Sequence, residues 1–131
     1  MEADMDGKKI VLSIDDNVTQ LKMYQEMLVP KYDLRVVKAA SDAMNFMNAN
    51  QVDVILLDIE MPNVSGFEFL EDIRKIPSYM KVPIIIVSGV TGEGFFRKAK
   101  NSTAFDVLSK PVLPDVLINV IEKALAAEAS N

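Results

Sequence analysis

Three short apolar runs constrain this chain more than any other feature. They are Ile10-Val11-Leu12, Val54-Ile55-Leu56-Leu57 and Ile84-Ile85-Ile86-Val87. Each is rich in β-branched residues, too short for an ordinary helix, and bounded by polar residues, Gly or Pro. A run without polar alternation predicts a strand buried on both faces, the signature of a parallel sheet. Weaker strands are expected at Leu34–Val37 and at Phe105–Leu108, each ahead of a helical stretch.

Parallel strands need long crossovers, and amphipathic segments lie where crossovers must run. Val18, Leu21, Tyr24, Met27 and Leu28 recur at helical spacing, and Pro30 ends that helix. Ala43, Met44 and Met47 mark a second, with Ser41 as its expected N-cap. Phe67, Leu70, Ile73 and Ile76 trace a third, and a short fourth lies around Phe95 to Lys100. Leu113, Val116, Leu117, Val120, Ile121 and Ala124 trace the fifth. The expected fold is an α/β doubly wound domain, a five-stranded parallel sheet with five helices. Residues 8–126 form the expected domain, with a flexible segment at 1–7 and a frayed tail at 127–131. The methionine pairs Met23/Met27 and Met44/Met47 are read as core filler.

Composition removes whole classes of chemistry. The chain of 131 residues has no Cys and no His, so thiolate sites, imidazole metal sites and catalytic triads are excluded. Any metal must be held by oxygen, which suits Mg²⁺, Ca²⁺ or Mn²⁺. A net charge of −5 argues against a nucleic-acid surface; Arg97, Lys98 and Lys100 form only a small basic patch. Met1 to Lys9 lacks the basic start and apolar run of a signal peptide, and no apolar run approaches the ~20 residues of a membrane helix. A cytoplasmic protein is the expectation.

Ligands of open α/β sheets bind beyond the carboxyl ends of the strands. The residues following the expected strands are Asp15 and Asp16, Asp58, Ser88, and Ser109, Lys110 and Pro111. Three carboxylates in one crevice repel, and each raises the others' pKa. A divalent cation relieves that repulsion, a Lys adds positive charge, and a Ser adds a hydrogen bond. Such a set suits charge spread over a transferring phosphoryl group, with a carboxylate as nucleophile. Each residue alone has a plainer reading: Asp15 and Asp16 as an N-cap pair, Asp58 as a strand-end turn, Lys110-Pro111 as a solvated turn. Their conjunction on one rim favours the phosphoryl site. Gly89, Gly92 and Gly94 follow the fourth strand but lack the order of a dinucleotide loop, so they read as a mobile loop beside that site.

The segments Val11–Asn17, Leu56–Gly66, Ile86–Gly89 and Leu108–Pro111 together resemble the receiver domains of two-component response regulators, over about residues 8–126. The resemblance implies the flavodoxin-like strand order 2-1-3-4-5. It implies that Asp58 is the phosphorylated nucleophile and that Asp16 and Asp58 bind Mg²⁺ directly. Asp15 would bind it through water, and Glu60 through its backbone carbonyl. Ser88 and Lys110 would hold the phosphoryl oxygens. The donor it implies is a phosphohistidine on a histidine kinase or histidine phosphotransfer protein, and the chain would catalyse only its own phosphorylation and dephosphorylation. One position departs from the pattern. Three residues before the Lys the family commonly has Tyr or Phe, and here stands Val107, which has no ring to swing inward. Phe105 is read as core, and the switch is expected to run through the Gly89–Gly94 loop.

No output domain follows in this sequence, so the chain is either a stand-alone receiver or one cut from a longer protein. Phe95 and Phe96 are consecutive, so either one is exposed as a partner anchor or both rings are partly buried. Two rival readings stay open: a receiver-like binding module that never carries phosphate, and a hydrolase with an aspartyl-phosphate intermediate. For the second, the nearest match to its Asp-x-Asp start is Asp58-Ile59-Glu60, in mid-chain.

Overall fold

A computed structural model describes residues 7–61 and 64–129. Residues 1–6 of the expected N-terminal segment and 130–131 of the expected tail lie outside the described residues. The five strands of the main sheet are β1 (Ile10–Ile14), β2 (Asp33–Val37), β3 (Val54–Asp58), β4 (Ile84–Ser88) and β5 (Asp106–Ser109). The α-helices are α1 (Val18–Leu28), α2 (Ala40–Ala49), α3 (Gly66–Arg74), α4 (Glu93–Lys100) and α5 (Pro114–Ala129). All strand pairs of this sheet are parallel, in the order β2-β1-β3-β4-β5. The strand order and fold class expected from the sequence are therefore observed.

The central strands explain why those three runs were legible. Every residue of β3 and β4 is buried. Their side chains alternate between two cores. Val11, Leu56 and Ile85 meet Leu21, Tyr24 and Leu28 of α1 and Leu117 and Ile121 of α5 on one face. Leu12, Ile55 and Ile84 meet Met47 of α2 and Phe69, Leu70 and Ile73 of α3 on the other. Each fully buried Leu or Ile stabilises by roughly 1.5–3 kcal/mol. The edge strands β2 and β5 are only partly covered, so their sequence signal is weak. No helix among the described residues is long and apolar enough to cross a membrane.

Several local expectations need correction. Ser41 does not cap α2: the helix begins at Ala40, and its N-cap, Ala39, makes no side-chain cap hydrogen bond. Helix α3 ends at Arg74, with Lys75 as C-cap, so Ile76 lies beyond it. Phe105 is not core; it precedes the edge strand β5 and is 40% exposed. Two small elements are additional. Glu60–Met61 pairs antiparallel with Val64–Ser65, and Pro77–Tyr79 forms a 3₁₀ turn. Phe95 and Phe96 are both half-buried, the second of the two expected outcomes.

One residue without an expected role holds the end of the sheet opposite the acidic rim. The Arg74 guanidinium donates to the carbonyls of Tyr79 (3.1 Å), Met80 (3.3 Å), Val82 (2.6 Å) and Thr103 (2.8 Å), and to Thr103 Oγ1 (3.0 Å). It joins the segment entering β4 to the segment entering β5. Arg74→Ala is expected to cost about 2–3 kcal/mol, because part-buried carbonyls lose a charged donor. Arg74→Lys should recover less than half of that, since an ammonium cannot reproduce the planar fork. Urea midpoints of the three proteins measure this; a lysine variant as stable as wild type would contradict it.

Candidate functional site

Parallel strands deliver their last residues to one rim, and the register sets which neighbours meet. Ile14 pairs with Leu57, so Asp15 emerges beside Asp58. Ser88 pairs with Ser109, so Lys110 follows on the next strand. Two further backbone bonds extend the sheet there. Asp15 N–H donates to Val37 O (3.1 Å), and Lys110 N–H donates to Ser88 O (2.9 Å). The Lys110–Pro111 peptide is cis.

Carboxylate oxygens of Asp15, Asp16 and Asp58 all lie within 4.8 Å of one another. Asp15 and Asp58 are buried, and Asp16 is exposed. The plainer reading of the first pair fails, because α1 is capped by Asn17, whose Oδ1 accepts from Gln20 N–H at 2.9 Å. Asp15 instead accepts from Asn17 N–H through Oδ1 (2.9 Å). Its Oδ2 lies 3.0 Å from Lys110 Nζ as an ion pair, yet accepts no hydrogen bond and is fully buried.

The two oxygens of Asp58 have separate surroundings. Oδ1 accepts from Glu60 N–H at 3.0 Å. Oδ2 faces Lys110 Nζ at 3.6 Å. Burial pushes the Asp58 carboxyl up from 3.8 to about 6. The Glu60 N–H and the Lys110 charge pull against that rise, while the Asp15 charge and a hydrogen bond with Asp15 add to it. Beneath the cluster sits buried Tyr24, whose phenol is raised above its ordinary value by burial and then by the charge on Asp15. Tyr24 is therefore neutral and adds no further anion.

Ser88 ends β4 rather than following it, and it is buried. Its Oγ accepts from Val90 N–H at 2.9 Å, which leaves its proton free to donate to an incoming oxygen. Val107 is half-buried on β5, opposite Ile86. Glu60 carries a contact that sequence reasoning missed: its Oε1 accepts from Gly89 N–H at 3.1 Å. The partners are 29 residues apart, and no local pattern signals them.

The site fits a hard dication. Its side-chain donors are carboxylate oxygens, one of them is buried with no hydrogen-bond partner, and among the described residues one ammonium, Lys110, faces the two buried carboxylates. Oxygen donors of this kind suit Mg²⁺ or a cation like it.

Comparison with known proteins gives a consistent picture. The chain matches the profile of the response regulator receiver domain over residues 11–122. It is 33% identical over 111 residues to the cyclic di-GMP phosphodiesterase response regulator RpfG of Xanthomonas campestris pv. campestris, covering 82% of this chain and 29% of that protein. It is 35% identical to a protein-glutamate methylesterase/protein-glutamine glutaminase of Pseudomonas syringae pv. tomato, covering 94% of this chain and 36% of that protein. The chain thus spans only a minor part of these relatives. The crystallised chemotaxis protein CheY4 of Vibrio cholerae superposes with a TM-score of 0.84 at 26% identity, over 91% of this chain and 100% of that one. A receiver domain protein of Methanospirillum hungatei gives 0.85 at 23% identity, over 95% and 98%.

Proposed function

The chain belongs to the response regulator receiver domain family, the phosphoacceptor domains of two-component systems, and on that premise we propose that its phosphoacceptor is Asp58. One observation carries this assignment. Asp58 is the buried carboxylate that meets Asp15, Asp16 and Lys110 on one rim, with one oxygen tethered by Glu60 N–H and the other facing Lys110. The match over residues 11–122 supports 8–126 as the functional unit.

In the proposed reaction Asp58 Oδ2 attacks the phosphorus of a phosphohistidine on a histidine kinase or phosphotransfer protein. The P–O bond forms as the P–N bond breaks, and the leaving imidazole nitrogen takes a proton from solvent. The chain has no His, so the imidazole belongs to the partner. Lys110 Nζ and the Ser88 hydroxyl then hold the phosphoryl oxygens. Asp15, Asp16, Asp58 and the Glu60 carbonyl would hold Mg²⁺, which supplies positive charge against the oxygens of the transferring group. Hydrolysis of the acyl phosphate returns the carboxylate. Phosphorylation then alters partner binding or passes the phosphoryl group on. The catalysis is confined to the chain's own Asp58, and the phosphodiesterase and methylesterase named above belong to those longer relatives. A cytoplasmic location accords with the absence of a spanning helix among the described residues.

The alternative of a binding module that never carries phosphate has Asp58, Ser88 and Lys110 against it, since such a module has no need of them. Incubation with Mg²⁺ and acetyl phosphate, followed by intact-mass measurement, separates the two. One added phosphoryl group is expected on wild type and none on Asp58→Asn. No addition to wild type would favour the module, and addition that survives in Asp58→Asn would place the acceptor elsewhere.

A further inference from the structure

We propose that the Glu60 carboxylate is an internal anion that holds the Gly89 amide until a phosphoryl group on Asp58 displaces it, so that Glu60 sets how readily the site accepts that group. This rests on the reading of Asp58 as phosphoacceptor and concerns the regulation of the same site.

Glu60 touches both halves of the rim. Its backbone N–H tethers Asp58 Oδ1 at 3.0 Å, and its side-chain Oε1 accepts from Gly89 N–H at 3.1 Å. Gly89 directly follows Ser88, and the next amide, Val90 N–H, is taken by the Ser88 Oγ. The two amides leaving β4 therefore both end on side-chain oxygens beside the phosphoacceptor, one of them carrying a full negative charge. A methyl at Gly89 would stand in ordinary contact with Glu60 Oε1, at 3.4 Å.

A phosphoryl group on Asp58 brings nearly two negative charges to within two residues of that carboxylate. Like charges at such range disfavour each other, and one of them must move. The covalently held group cannot. Glu60 is exposed and its bond to Gly89 lies in solvent, so its carboxylate can swing into water at small cost. The Gly89 amide is then free to turn to the new anion.

The freed segment leads to an element poised to follow. Gly92 sits at φ +119°, a conformation that glycine alone adopts readily, and it opens α4 without a side-chain cap. Of the eight residues of α4 only Ala99 is buried. Beyond its packing on β5, the helix rests on Phe67 of α3, with Phe95 at 5.9 Å from that ring and Lys98 Nζ over it at 4.6 Å. Release of the Glu60–Gly89 contact thus reaches α4 without any ring at Val107.

The test uses the full chain with Mg²⁺ and beryllofluoride, a non-covalent stand-in for the phosphoryl group, read by titration and by amide nitrogen–proton spectra. Wild type, Glu60→Ala and Glu60→Gln are compared; both variants keep the backbone carbonyl and N–H. Glu60→Ala is expected to bind beryllofluoride roughly fivefold or more tightly. Its free-state Gly89 resonance should lie away from the wild-type position, towards that of bound wild type. Glu60→Gln, which keeps an acceptor but no charge, should fall between. Unchanged or weaker binding by Glu60→Ala, or a wild-type Gly89 resonance that does not move on binding, overturns the latch while leaving Asp58 in its role. Failure of wild type to bind beryllofluoride at all overturns the phosphoacceptor reading and the latch with it.

Discussion

Gly66→Ala is expected to lose about 2–4 kcal/mol of stability and to distort the phosphoacceptor turn at the same time. A Cβ at Gly66 would stand 2.5 Å from Ile59 Cα, 2.6 Å from its Cδ1 and 2.9 Å from its Cγ1. A side chain can rotate away from such contact, but a Cα cannot, so relief requires backbone movement. The backbone that must move lies between Asp58 and Glu60, the pair joined by the 3.0 Å bond that fixes Asp58 Oδ1. The variant should therefore unfold at lower urea and take up phosphoryl from acetyl phosphate more slowly than its remaining folded fraction allows. Gly94→Ala is the matching control. Nothing lies within 4 Å of its added methyl, and it sits in the first turn of α4. That change should be neutral or stabilise by up to ~1 kcal/mol. Equal stability of the two variants would show that the approach of Gly66 to Ile59 is not tight.

Asp58→Asn is expected to be more stable than wild type at pH 7 without Mg²⁺, by about 1–3 kcal/mol. Burial holds the folded Asp58 carboxyl at about 6, against 3.8 for the free group. The native state therefore binds this proton more tightly than the unfolded chain does. Wild-type stability should fall as pH rises from about 4 to about 6 and then stay level as far as this group is concerned. Asparagine cannot ionise, so the difference between the two proteins should vanish below pH 4 and be complete above pH 7. Mg²⁺ should narrow it, since binding to the folded state alone stabilises wild type by about 2.7 kcal/mol at one hundred times the dissociation constant. Urea titrations from pH 4 to 8, with and without Mg²⁺, measure all three features. A pH-independent difference, or an asparagine variant less stable at pH 7, would mean that Asp58 is not strained by its surroundings.

The chemistry was legible because it sits next to the strongest fold signal. Ile10–Leu12, Val54–Leu57 and Ile84–Val87 announce strands by burial on both faces, and parallel topology then sends Asp15, Asp58 and Ser88 to one rim. Features that depend on edges or on distant partners were not legible. Phe105 resembles a core residue, but an edge strand has no neighbour to cover it. Ser41 has the chemistry of an N-cap, yet α2 starts one residue before it. Asn17 caps α1, while Asp15 accepts from Asn17 N–H through one oxygen and faces Lys110 across the rim with the other. Arg74 and the Glu60 side-chain contact with Gly89 gave no signal, because their partners are carbonyls and amides up to 29 residues away.

The shallow seating of α4 also bears on descent. A helix that commits one alanine to the interior, and otherwise leans on Phe67 through Phe95 and Lys98, carries fewer packing constraints than α1 or α5. Its outward face, with Arg97 and Lys100, can be rewritten by successive point changes while the acidic rim and both cores stay intact. Duplicated copies of such a gene can therefore diverge in what they recognise long before they diverge in how they are charged.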